Sequence, residues 1–355
     1  MPSFTYKCPN CGNALKYTPD IGKFSCEFCG STFEEAYLSK LDDQAYDQLK
    51  EADKDGEYGK AEDGAQLVYS CPSCGAELVT GKTTAATMCY YCHSPVVLTG
   101  RLAAGLRPDT LLPFKYDKEK AKEKFFAWIR KKKYVPKSFI SESSVENLSG
   151  VYYPYWLADY ETTGHFSGEG RIVTHSSTPT HNITTTKIYQ VTRDADITFI
   201  NVQRSALVKA DRKLSDGIQP YRLEETKSFE PAYLSGFLAE KRDVEKEEVA
   251  GSIETELQGY VQPLLTAGSP YTSLTGASRM EVNKNTFRYA LLPAWILTYR
   301  GQGGKTYYYA MNGQTEETCG ILPVNAKKLL LHAGILAAGV AGVLLGVFYF
   351  FVSGV

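Results

Sequence analysis

The sequence predicts an α+β protein with two small cysteine-rich modules near its N-terminus and one long apolar helix near its C-terminus. Three observations support this fold class. Eight of the nine cysteines form two sets of Cys-x-x-Cys pairs with the same spacing. A run of 24 residues without a formal charge, Leu329 to Val352, lies close to the C-terminus. The residues between these features alternate between helical and strand periodicities, and they are numerous enough to bury a sizeable core.

The two cysteine-rich modules occupy residues 1–33 and 67–98. In each module a Cys-x-x-Cys pair is followed, after 14 intervening residues, by a second pair. Two residues between thiolates allow both sulfur atoms of a tight turn to face one ion, so this spacing is typical of a zinc ribbon. Gly12 and Gly75 directly follow the first pair, where such a turn requires a positive φ. The predicted ligands are Cys8, Cys11, Cys26 and Cys29 in ribbon 1, and Cys71, Cys74, Cys89 and Cys92 in ribbon 2.

We therefore predict two structural zinc ions, one in each ribbon. A module this small cannot bury enough apolar surface to fold alone, whereas structural zinc supplies on the order of 10–16 kcal/mol of folding free energy. Four thiolates leave no open coordination position, which excludes catalysis at the metal. The alternatives are a disulfide framework, which the lack of an N-terminal secretion signal disfavours, and a rubredoxin-like iron site. The ninth cysteine, Cys319, is interpreted as a small buried hydrophobe.

Residues 34–66 separate the two ribbons and carry eleven acidic and four basic side chains. Apolar residues recur at helical spacing between Tyr37 and Leu49, and a polar segment with glycines follows. We predict a short amphipathic helix and then a flexible linker. Ribbon 1 is accordingly expected to swing relative to ribbon 2.

Residues 99–326 have the composition of a globular α+β body. Two strings within them, "PYWLADY" (Pro154 to Tyr160) and "PAWILTY" (Pro293 to Tyr299), share a Pro-x-Trp pattern, and a charged helical stretch precedes each one. This weak repeat is consistent with an internal duplication of a helix-then-strands unit. Alternating segments such as "NITTTKIYQVT" and "DITFINVQ" predict antiparallel β meanders, and an Asn312-Gly313 turn is expected to close a further hairpin.

The sequence contains no recognisable catalytic motif, so we predict that the protein is not an enzyme. Two Gly-Lys-Thr strings lack the glycine that a P-loop requires five positions earlier, where Ala76 and Tyr299 stand. Three histidines, His165, His175 and His181, are interpreted as exposed strand and loop positions, the alternative being a surface metal site. An enzyme with an unfamiliar site in the tyrosine-rich body is a further alternative.

A local excess of positive charge lies in the predicted helix of residues 115–137, which has ten Lys or Arg against three Asp or Glu. This helix can present a solvated face over the core, contact an anionic membrane surface, or contact nucleic acid. We favour the solvated face first and lipid second. The net charge of −1 and the pI near 6.5 do not indicate a nucleic-acid-binding protein.

Residues 327–355 are predicted to form a single-pass transmembrane anchor. The 24 uncharged residues, as a helix, span more than the hydrocarbon core of about 30 Å. Lys327 and Lys328 precede this run, which favours a cytoplasmic N-terminal body and the layout of a tail-anchored protein in the cell membrane. Small residues at every fourth position of the span predict a groove for helix pairing, and hence a homo-oligomer. They are Gly334, Ala338, Gly342 and Gly346.

Several strings in the chain resemble those of known proteins. The strings "CPNCG", "CEFCG", "CPSCG" and "CYYCH" resemble zinc ribbons of the transcription factor IIB type. The body strings "GVYYPYWLADYETTG" and "LLPAWILTYRGQGGKTYYYAMNGQT", with the terminal span, resemble a family of bacterial membrane-anchored zinc-ribbon proteins over nearly the whole chain. This resemblance implies a non-catalytic membrane protein that works beside phage-shock-type envelope-stress proteins. Such sequences are sometimes labelled primosome-assembly helicases, a label that the missing P-loop contradicts.

The expected function is that of an adaptor in which the ribbons dock a cytosolic protein partner at the lipid bilayer. By resemblance, that partner is an oligomeric envelope-stress protein. Two weak docking modules on one chain can gain about 10²–10⁴ in avidity. The alternative is a membrane-tethered nucleic-acid-binding protein of the transcription or replication machinery. Nucleic acid is disfavoured as a partner, because such a protein would need basic ribbon surfaces and the ribbons contain few lysines.

Overall fold

The computed structural model describes residues 3–38, 40, 67–98, 106–136, 148–210, 212–300 and 305–353. The strands of the ribbons are β1 (Lys16–Thr18), β2 (Lys23–Ser25), β3 (Thr32–Phe33), β4 (Leu67–Ser70), β5 (Glu77–Thr80), β6 (Thr84–Met88) and β7 (Pro95–Val97). Those of the body are β8 (Thr110–Leu111), β9 (Ser149–Ser177), β10 (Asn182–Ser205), β11 (Lys227–Ser228), β12 (Leu238–Glu240), β13 (Ser273–Arg300), β14 (Thr306–Asn312) and β15 (Thr318–Ile321). The α-helices are α1 (Lys118–Arg130), α2 (Arg212–Gly217), α3 (Lys246–Thr266) and α4 (Ala326–Ser353). The predicted α+β class is confirmed.

The body is built on a ten-stranded sheet whose centre is the antiparallel pair β9 and β13. These two strands are 29 and 28 residues long, far longer than the mean strand of about five or six residues. The sheet is mixed, because β8 pairs with β13 and β12 pairs with β9 in parallel. The sequence predicted antiparallel pairing only, and short local patterns cannot indicate a parallel pairing between distant segments.

Two predicted strand segments of the body join into the single strand β10. The charged residues between them, Arg193 and Asp194, continue the alternation instead of interrupting it. The Arg193 guanidinium donates to the carbonyl of Leu265, and Asp194 contacts His165 on β9 at 2.7 Å. The hairpin predicted at Asn312-Gly313 forms between β14 and β15, but with a wider loop, because the Asn312 amide donates to the Glu317 carbonyl at 2.8 Å.

The body consists of two similar halves, each with a short strand, a helix, a long strand and a return strand. The first half contains β8, α1, β9 and β10, and the second contains β12, α3, β13 and β14. The helices bury the same positions, namely the fourth, eighth and twelfth residues from the helix start. These residues are Ala121, Phe125 and Ile129 in α1, and Val249, Ile253 and Leu257 in α3. The repeat detected in the sequence therefore reflects a duplicated unit of the fold.

The two halves are related by a pseudo-two-fold axis that passes through the centre of the sheet. The residues that precede the two Pro-x-Trp motifs, Tyr153 and Leu292, are direct partners in the β9–β13 ladder. Each short strand crosses to the long strand of the other half, since β8 pairs with β13 and β12 with β9. This exchange means that neither half can separate from the other without breaking the sheet.

The two faces of the sheet carry separate cores. On one face, α1, α3 and ribbon 1 cover a core that includes the buried indoles of Trp156 and Trp295. On the other face, α2 covers a smaller cluster that includes Tyr155 and Leu292. Cys319 packs against this smaller cluster, where a Cβ on Gly217 would lie only 2.5 Å from its sulfur. Cys319 was predicted to be a small buried hydrophobe; it packs as a small hydrophobe but is only partly buried.

Both ribbons pack on the body, so the expected swing of ribbon 1 is wrong. Tyr17 and Phe24 of ribbon 1 contact the ring of Tyr233, with centroids 4.9 and 5.5 Å away. The Ser235 hydroxyl donates to the Leu15 carbonyl at 2.7 Å. Aromatic residues on both sides make this contact more favourable than independent motion. Residues 35–38 form a helical turn, and residues 39 and 41–66 of the predicted helix and linker lie outside the described residues.

Ribbon 2 is continuous with the body sheet. Its strand β6 pairs with β12, and β7 pairs with β6, so that both form one edge of the ten-stranded sheet. The ribbons also contact each other, since Phe4 forms a β-bridge with Val97. Ribbon 1 therefore shares the main core of the body, whereas ribbon 2 shares its sheet.

The long strands extend well beyond the body. There β9 is paired with both β10 and β13, and α3 packs on one face of this extension through Val261 and Leu265. Past Arg171 only the β9–β10 hairpin continues. The extension lies at the opposite end of the sheet from α4, because α4 follows β15, which runs beside the body end of β13 through β14.

Helix α4 is the one described helix that is long and apolar enough to cross a membrane. Its candidate span, Ala326–Val352, has 27 residues. The most apolar window of 18 residues within it has a mean hydropathy of 2.4, and none of that window is buried by the body. Gly334, Gly342 and Gly346 have no other atom near the position of an added Cβ, so the predicted groove of small residues is open. A core helix of a soluble protein would bury such a surface.

We predict that Gly342→Ile weakens self-association of the span. An isoleucine would fill the groove and prevent the close backbone approach that drives helix pairing in lipid, where no hydrophobic force acts between helices. A two-hybrid assay in membranes should show at least a threefold lower signal, about the effect of losing 0.6 kcal/mol or more from a pair of helices. Val343→Ile, on another face of the helix, is the matched control. An unchanged signal for Gly342→Ile would show that the groove is not used.

Candidate metal centres

Each ribbon presents four cysteines on two tight turns of identical geometry. In every turn, the amide four residues after the first cysteine donates to the carbonyl of that cysteine, as from Gly12 to Cys8 at 2.8 Å. The amide of the same cysteine donates to a carbonyl five residues later, as from Cys8 to Asn13 at 2.6 Å. The second turn of ribbon 1 and both turns of ribbon 2 repeat these bonds. This pattern folds both thiol groups of each pair toward one point.

The left-handed backbone that such a turn requires is present at all four turns. The predicted glycines Gly12 and Gly75 have φ angles of 75° and 76°. Gly30 occupies the corresponding position in the second turn of ribbon 1, with φ of 72°. In ribbon 2 this position is held by His93, which has φ of 56° and an exposed side chain. The backbone of His93 therefore forms part of the turn, while its imidazole is exposed and is not needed as a fifth ligand.

The turns bring the eight predicted cysteines together as two groups of four. Within each group all the sulfur atoms lie within 4.8 Å of one another. Across the two turns, Cys8 and Cys29 are separated by 3.6 Å, and Cys71 and Cys92 by 3.7 Å. A tetrahedral zinc ion with bonds of about 2.3 Å places its sulfurs about 3.8 Å apart, whereas a disulfide requires about 2.05 Å. The donor set and its spacing thus fit a tetrahedral metal ion.

The two groups sit at the surface with one half of each group buried. The first cysteine of each pair is buried, and the second is exposed. Serine hydroxyls support the outer thiols: Ser31 Oγ lies 3.2 Å from Cys29 Sγ, and this hydrogen bond lowers the pKa of Cys29 to about 6. Ser94 lowers the pKa of Cys92 to about 6 in the same way. A thiolate is the metal-binding form, so each serine favours the binding form of its own cysteine.

Large aromatic side chains project from the outer turns, a feature that the sequence analysis did not single out. Phe28 is 78% exposed, and Tyr90 and Tyr91 are 72% and 73% exposed. They lie between the last two cysteines of their ribbons, where Phe28 and Tyr91 occupy corresponding positions of the repeat and Tyr90 corresponds to Glu27. The strings "CEFCG" and "CYYCH" already contain these aromatic residues. Aromatic side chains on a solvent-exposed turn indicate an interaction surface.

The three histidines of the polar segment do not form a metal site. His165 and His175 lie ten residues apart on β9, and His181 lies in the turn that follows this strand. At roughly 3.3 Å per residue the first two are about 33 Å apart. The His165 imidazole contacts Asp194, while Nδ1 of His175 lies 3.0 Å from the Thr184 hydroxyl. Their interpretation as exposed strand and loop positions is confirmed for His175 and His181, whereas His165 is a half-buried strand position.

A cavity of about 430 Å³ lies between the sheet and α2. Tyr153, Tyr155 and Leu214 form part of its wall, and Lys209 at its edge pairs with Glu240 at 2.8 Å. Burial raises the pKa of Tyr153 to about 12 and also raises the pKa of Tyr155. Both phenols are therefore protonated at neutral pH, and the Tyr155 hydroxyl donates to the Ser215 carbonyl at 3.2 Å.

The fold and these sites define an α+β protein with two four-cysteine groups that fit zinc ribbons, and with one apolar helix long enough to span a membrane. The chain is similar to the "Uncharacterized protein YdjG" of Bacillus subtilis (strain 168), with 28% identity over 338 residues and 94% of each chain covered. No protein-family model matches the chain. No solved structure matches it either. The similarity covers nearly the whole length of both chains.

Proposed function

We propose that the protein is a non-catalytic, membrane-anchored adaptor whose two zinc ribbons dock a cytosolic protein partner. The observation that carries this proposal is the group of exposed aromatic side chains on the outer turns of both ribbons. Closed four-thiolate sites have no position for a substrate, so zinc here has a structural role. Exposed aromatic residues on a rigid support are typical anchors of protein interfaces. The anchor α4 then determines where the partner is held.

Both ribbons are fixed on the body, so they would dock a partner as one preformed surface rather than as two independently moving modules. Ribbon 1 packs on the body through Tyr17 and Phe24, and ribbon 2 shares the body sheet through β6. The two aromatic turns are thereby held by one rigid support. A partner that contacts both turns gains from pre-organisation, because less conformational freedom is lost on binding. An oligomeric partner, such as an envelope-stress protein of the phage-shock type, would suit a repeated binding surface.

Ribbon charge favours a protein partner over nucleic acid. The transcription factor IIB type of ribbon is also used by nucleic-acid machinery, which needs free cations for phosphate contacts. In ribbon 1, Lys16 pairs with Glu27 and Lys23 pairs with Glu34, both at 2.7 Å. These two lysines are already neutralised by neighbouring carboxylates. We therefore keep a cytoplasmic, protein-binding role as the proposal and the nucleic-acid role as its alternative.

We predict that the triple variant Phe28→Ser, Tyr90→Ser, Tyr91→Ser loses its partner while keeping its fold. The substituted side chains are exposed and are not metal ligands, so both zinc ions and the membrane location should remain. Loss of aromatic anchors worth at least 2 kcal/mol corresponds to about thirtyfold weaker binding. Chemical crosslinking of the tagged full chain in cells, followed by quantitative mass spectrometry, should show the partner's recovery reduced at least tenfold.

The matched control is Ile183→Ser, Ile188→Ser, Tyr189→Ser on the distal β9–β10 hairpin. These side chains are 49%, 60% and 40% exposed, so the control removes comparable apolar surface far from the ribbons. Equal loss of partner in both variants, or no loss in the ribbon variant, would refute docking through the ribbons. Ribbon-dependent crosslinking to DNA instead of protein would favour the nucleic-acid alternative.

A further inference from the structure

The end of α1 lies directly beside the start of the apolar helix α4. The amide of Asn325, the residue before α4, donates to the carbonyl of Tyr134, four residues after the end of α1, at 2.7 Å. The ring of Tyr134 contacts the imidazole of His332 in α4, with centroids 5.6 Å apart. The sequence placed the lysine-rich helix and the span in separate parts of the chain, and only the fold brings them together.

Within the residues that the structure describes, this end of the body carries positive charge without negative charge. We define the basic end as Arg130, Lys131, Lys132, Lys133, Lys305, Lys327 and Lys328. All seven side chains are exposed, and none of them forms an ion pair within the part of the chain that the structure describes. Residues 130–136, 305–308 and 321–332, which surround them, contain no Asp or Glu. The other lysines of α1 differ, because Lys120 and Lys122 pair with Glu123 and Glu119 on the same helix.

Aromatic rings accompany the basic end. Lys132 Nζ lies 5.2 Å from the Trp128 ring centroid, and Lys305 Nζ lies 5.4 Å from that of Tyr307. Tyrosine and tryptophan are enriched at membrane–water interfaces, where one edge of the ring is apolar and the other is wet. Tyr134 lies between the lysines and α4, in the position that such an interfacial residue occupies.

The length of α4 sets the depth of the basic end. A helix of 27 residues is about 40 Å long, whereas the hydrocarbon core is about 30 Å thick, so roughly 10 Å of α4 lies in the headgroup region. Tyr134 is hydrogen-bonded to Asn325, the residue before α4. The lysines that directly precede Tyr134, residues 131–133, therefore lie at the level of the headgroups. Clusters of lysine beside a span are the composition that attracts anionic lipids.

We propose that the basic end binds the headgroups of anionic lipids and holds the body in a fixed orientation on the bilayer. This inference rests on the anchoring role proposed for α4, but not on docking by the ribbons. The solvated face favoured from the sequence applies to the first turns of α1, where lysines pair with glutamates. The second interpretation, contact with lipid, applies to its last turn and to the residues that follow.

The test uses the full chain in lipid nanodiscs, made either of phosphatidylcholine alone or with 40% phosphatidylglycerol. Acylation by an amine-reactive reagent is followed for each lysine by peptide mass spectrometry. We expect Lys131, Lys132 and Lys133 to react about fivefold more slowly in the anionic discs, the factor expected for one cation held near such a surface. High salt should remove most of this protection. Lys187 and Lys284 on the distal extension are internal controls and should react equally in both discs.

A second measurement counts phosphatidylglycerol molecules that co-purify with the chain. Lys131→Gln, Lys132→Gln, Lys133→Gln should retain at most half as many as the unmodified chain, while Lys187→Gln, Lys246→Gln, Lys284→Gln should retain the same number. Equal acylation rates in the two discs, or equal lipid loss in both variants, would overturn the inference. So would protection of these lysines by duplex DNA but not by anionic lipid. A chain that is not retained in either disc would overturn the anchor as well, whereas loss of partner docking would leave this result unchanged.

Discussion

Cys26→Ser is expected to remove one of the two zinc ions proposed for the chain. We expect it to destabilise ribbon 1 and also the part of the body on which ribbon 1 packs. Cys26 is 1% exposed and belongs to the main core, together with Tyr17 and Phe24 of the same ribbon. Structural zinc contributes on the order of 10–16 kcal/mol to the folding of a ribbon, which exceeds what the small core of ribbon 1 can replace. Loss of the ion should therefore release Tyr17 and Phe24 from Tyr233 and expose that part of the body.

Two measurements follow this effect separately. Elemental analysis should give one zinc per chain for Cys26→Ser and two for the unmodified chain. Hydrogen exchange should increase in ribbon 1 and in residues 231–237, which carry the contacts to it, while ribbon 2 keeps its ion because its four thiolates are its own. Cys319→Ser is the control, since this cysteine lies outside both metal groups and should leave two ions in place. Exchange confined to ribbon 1 would show that its contact with the body adds little stability.

The two four-cysteine groups were predictable from the sequence because their signal is local. Two residues between thiolates and a glycine after each first pair specify a tight turn, whatever the rest of the chain does. The positive φ of Gly12 and Gly75 and the grouping of all eight cysteines were found as predicted. The apolar helix was predictable for the same reason, since its length and composition are sufficient. The positions of these modules relative to the body depend on distant contacts, and no local pattern records them.

The duplicated body shows where sequence patterns stop being informative. A shared Pro-x-Trp string indicated the repeat, and the matching buried positions of α1 and α3 now extend it to the helices. The crossing of β8 and β12 to the opposite halves left no trace in the sequence, because strands of two or three residues are too short for a periodic signal. The full length of β9 and β10 was also missed. Charged residues on exposed strand faces look like loop residues when the partner strand is unknown.

The packing of ribbon 1 on the body has a signal in the sequence, but that signal can be interpreted only once the structure is known. Tyr17 and Phe24 lie on adjacent strands of a ribbon that is too small to bury both aromatic rings by itself. Their partners, Tyr233 and Phe237, lie more than 200 positions later, in a short 3-10 helix (Pro231–Leu234) and in the turn that follows it. An excess of large apolar residues on a small module therefore indicates a second surface, although it does not identify that surface.

Leu336→Asp combined with Val340→Asp is expected to release the protein from the membrane. Both side chains lie near the middle of α4 and are 68% and 60% exposed, so in a bilayer they would face lipid. An aspartate at the centre of a span costs about 2.5–3.5 kcal/mol, or about 5–7 kcal/mol for the pair. The leucine, isoleucine, phenylalanine and valine residues of the span gain only about 0.3–0.6 kcal/mol each. Its glycines, which are present in the same segment, reduce that gain further.

Carbonate extraction of cell membranes measures this release. The unmodified chain should stay in the pellet, and most of the aspartate variant should move to the soluble fraction with both zinc ions bound, because the ribbons make no contact with the span in the described structure. Leu336→Ala combined with Val340→Ala changes the same positions without charge and should remain in the pellet. In sealed vesicles, protease should digest the body of the unmodified chain only when it acts from the cytoplasmic side. An aspartate variant that stays resistant to carbonate would show that α4 is not the anchor, and protection of the body from cytoplasmic protease would reverse the proposed orientation.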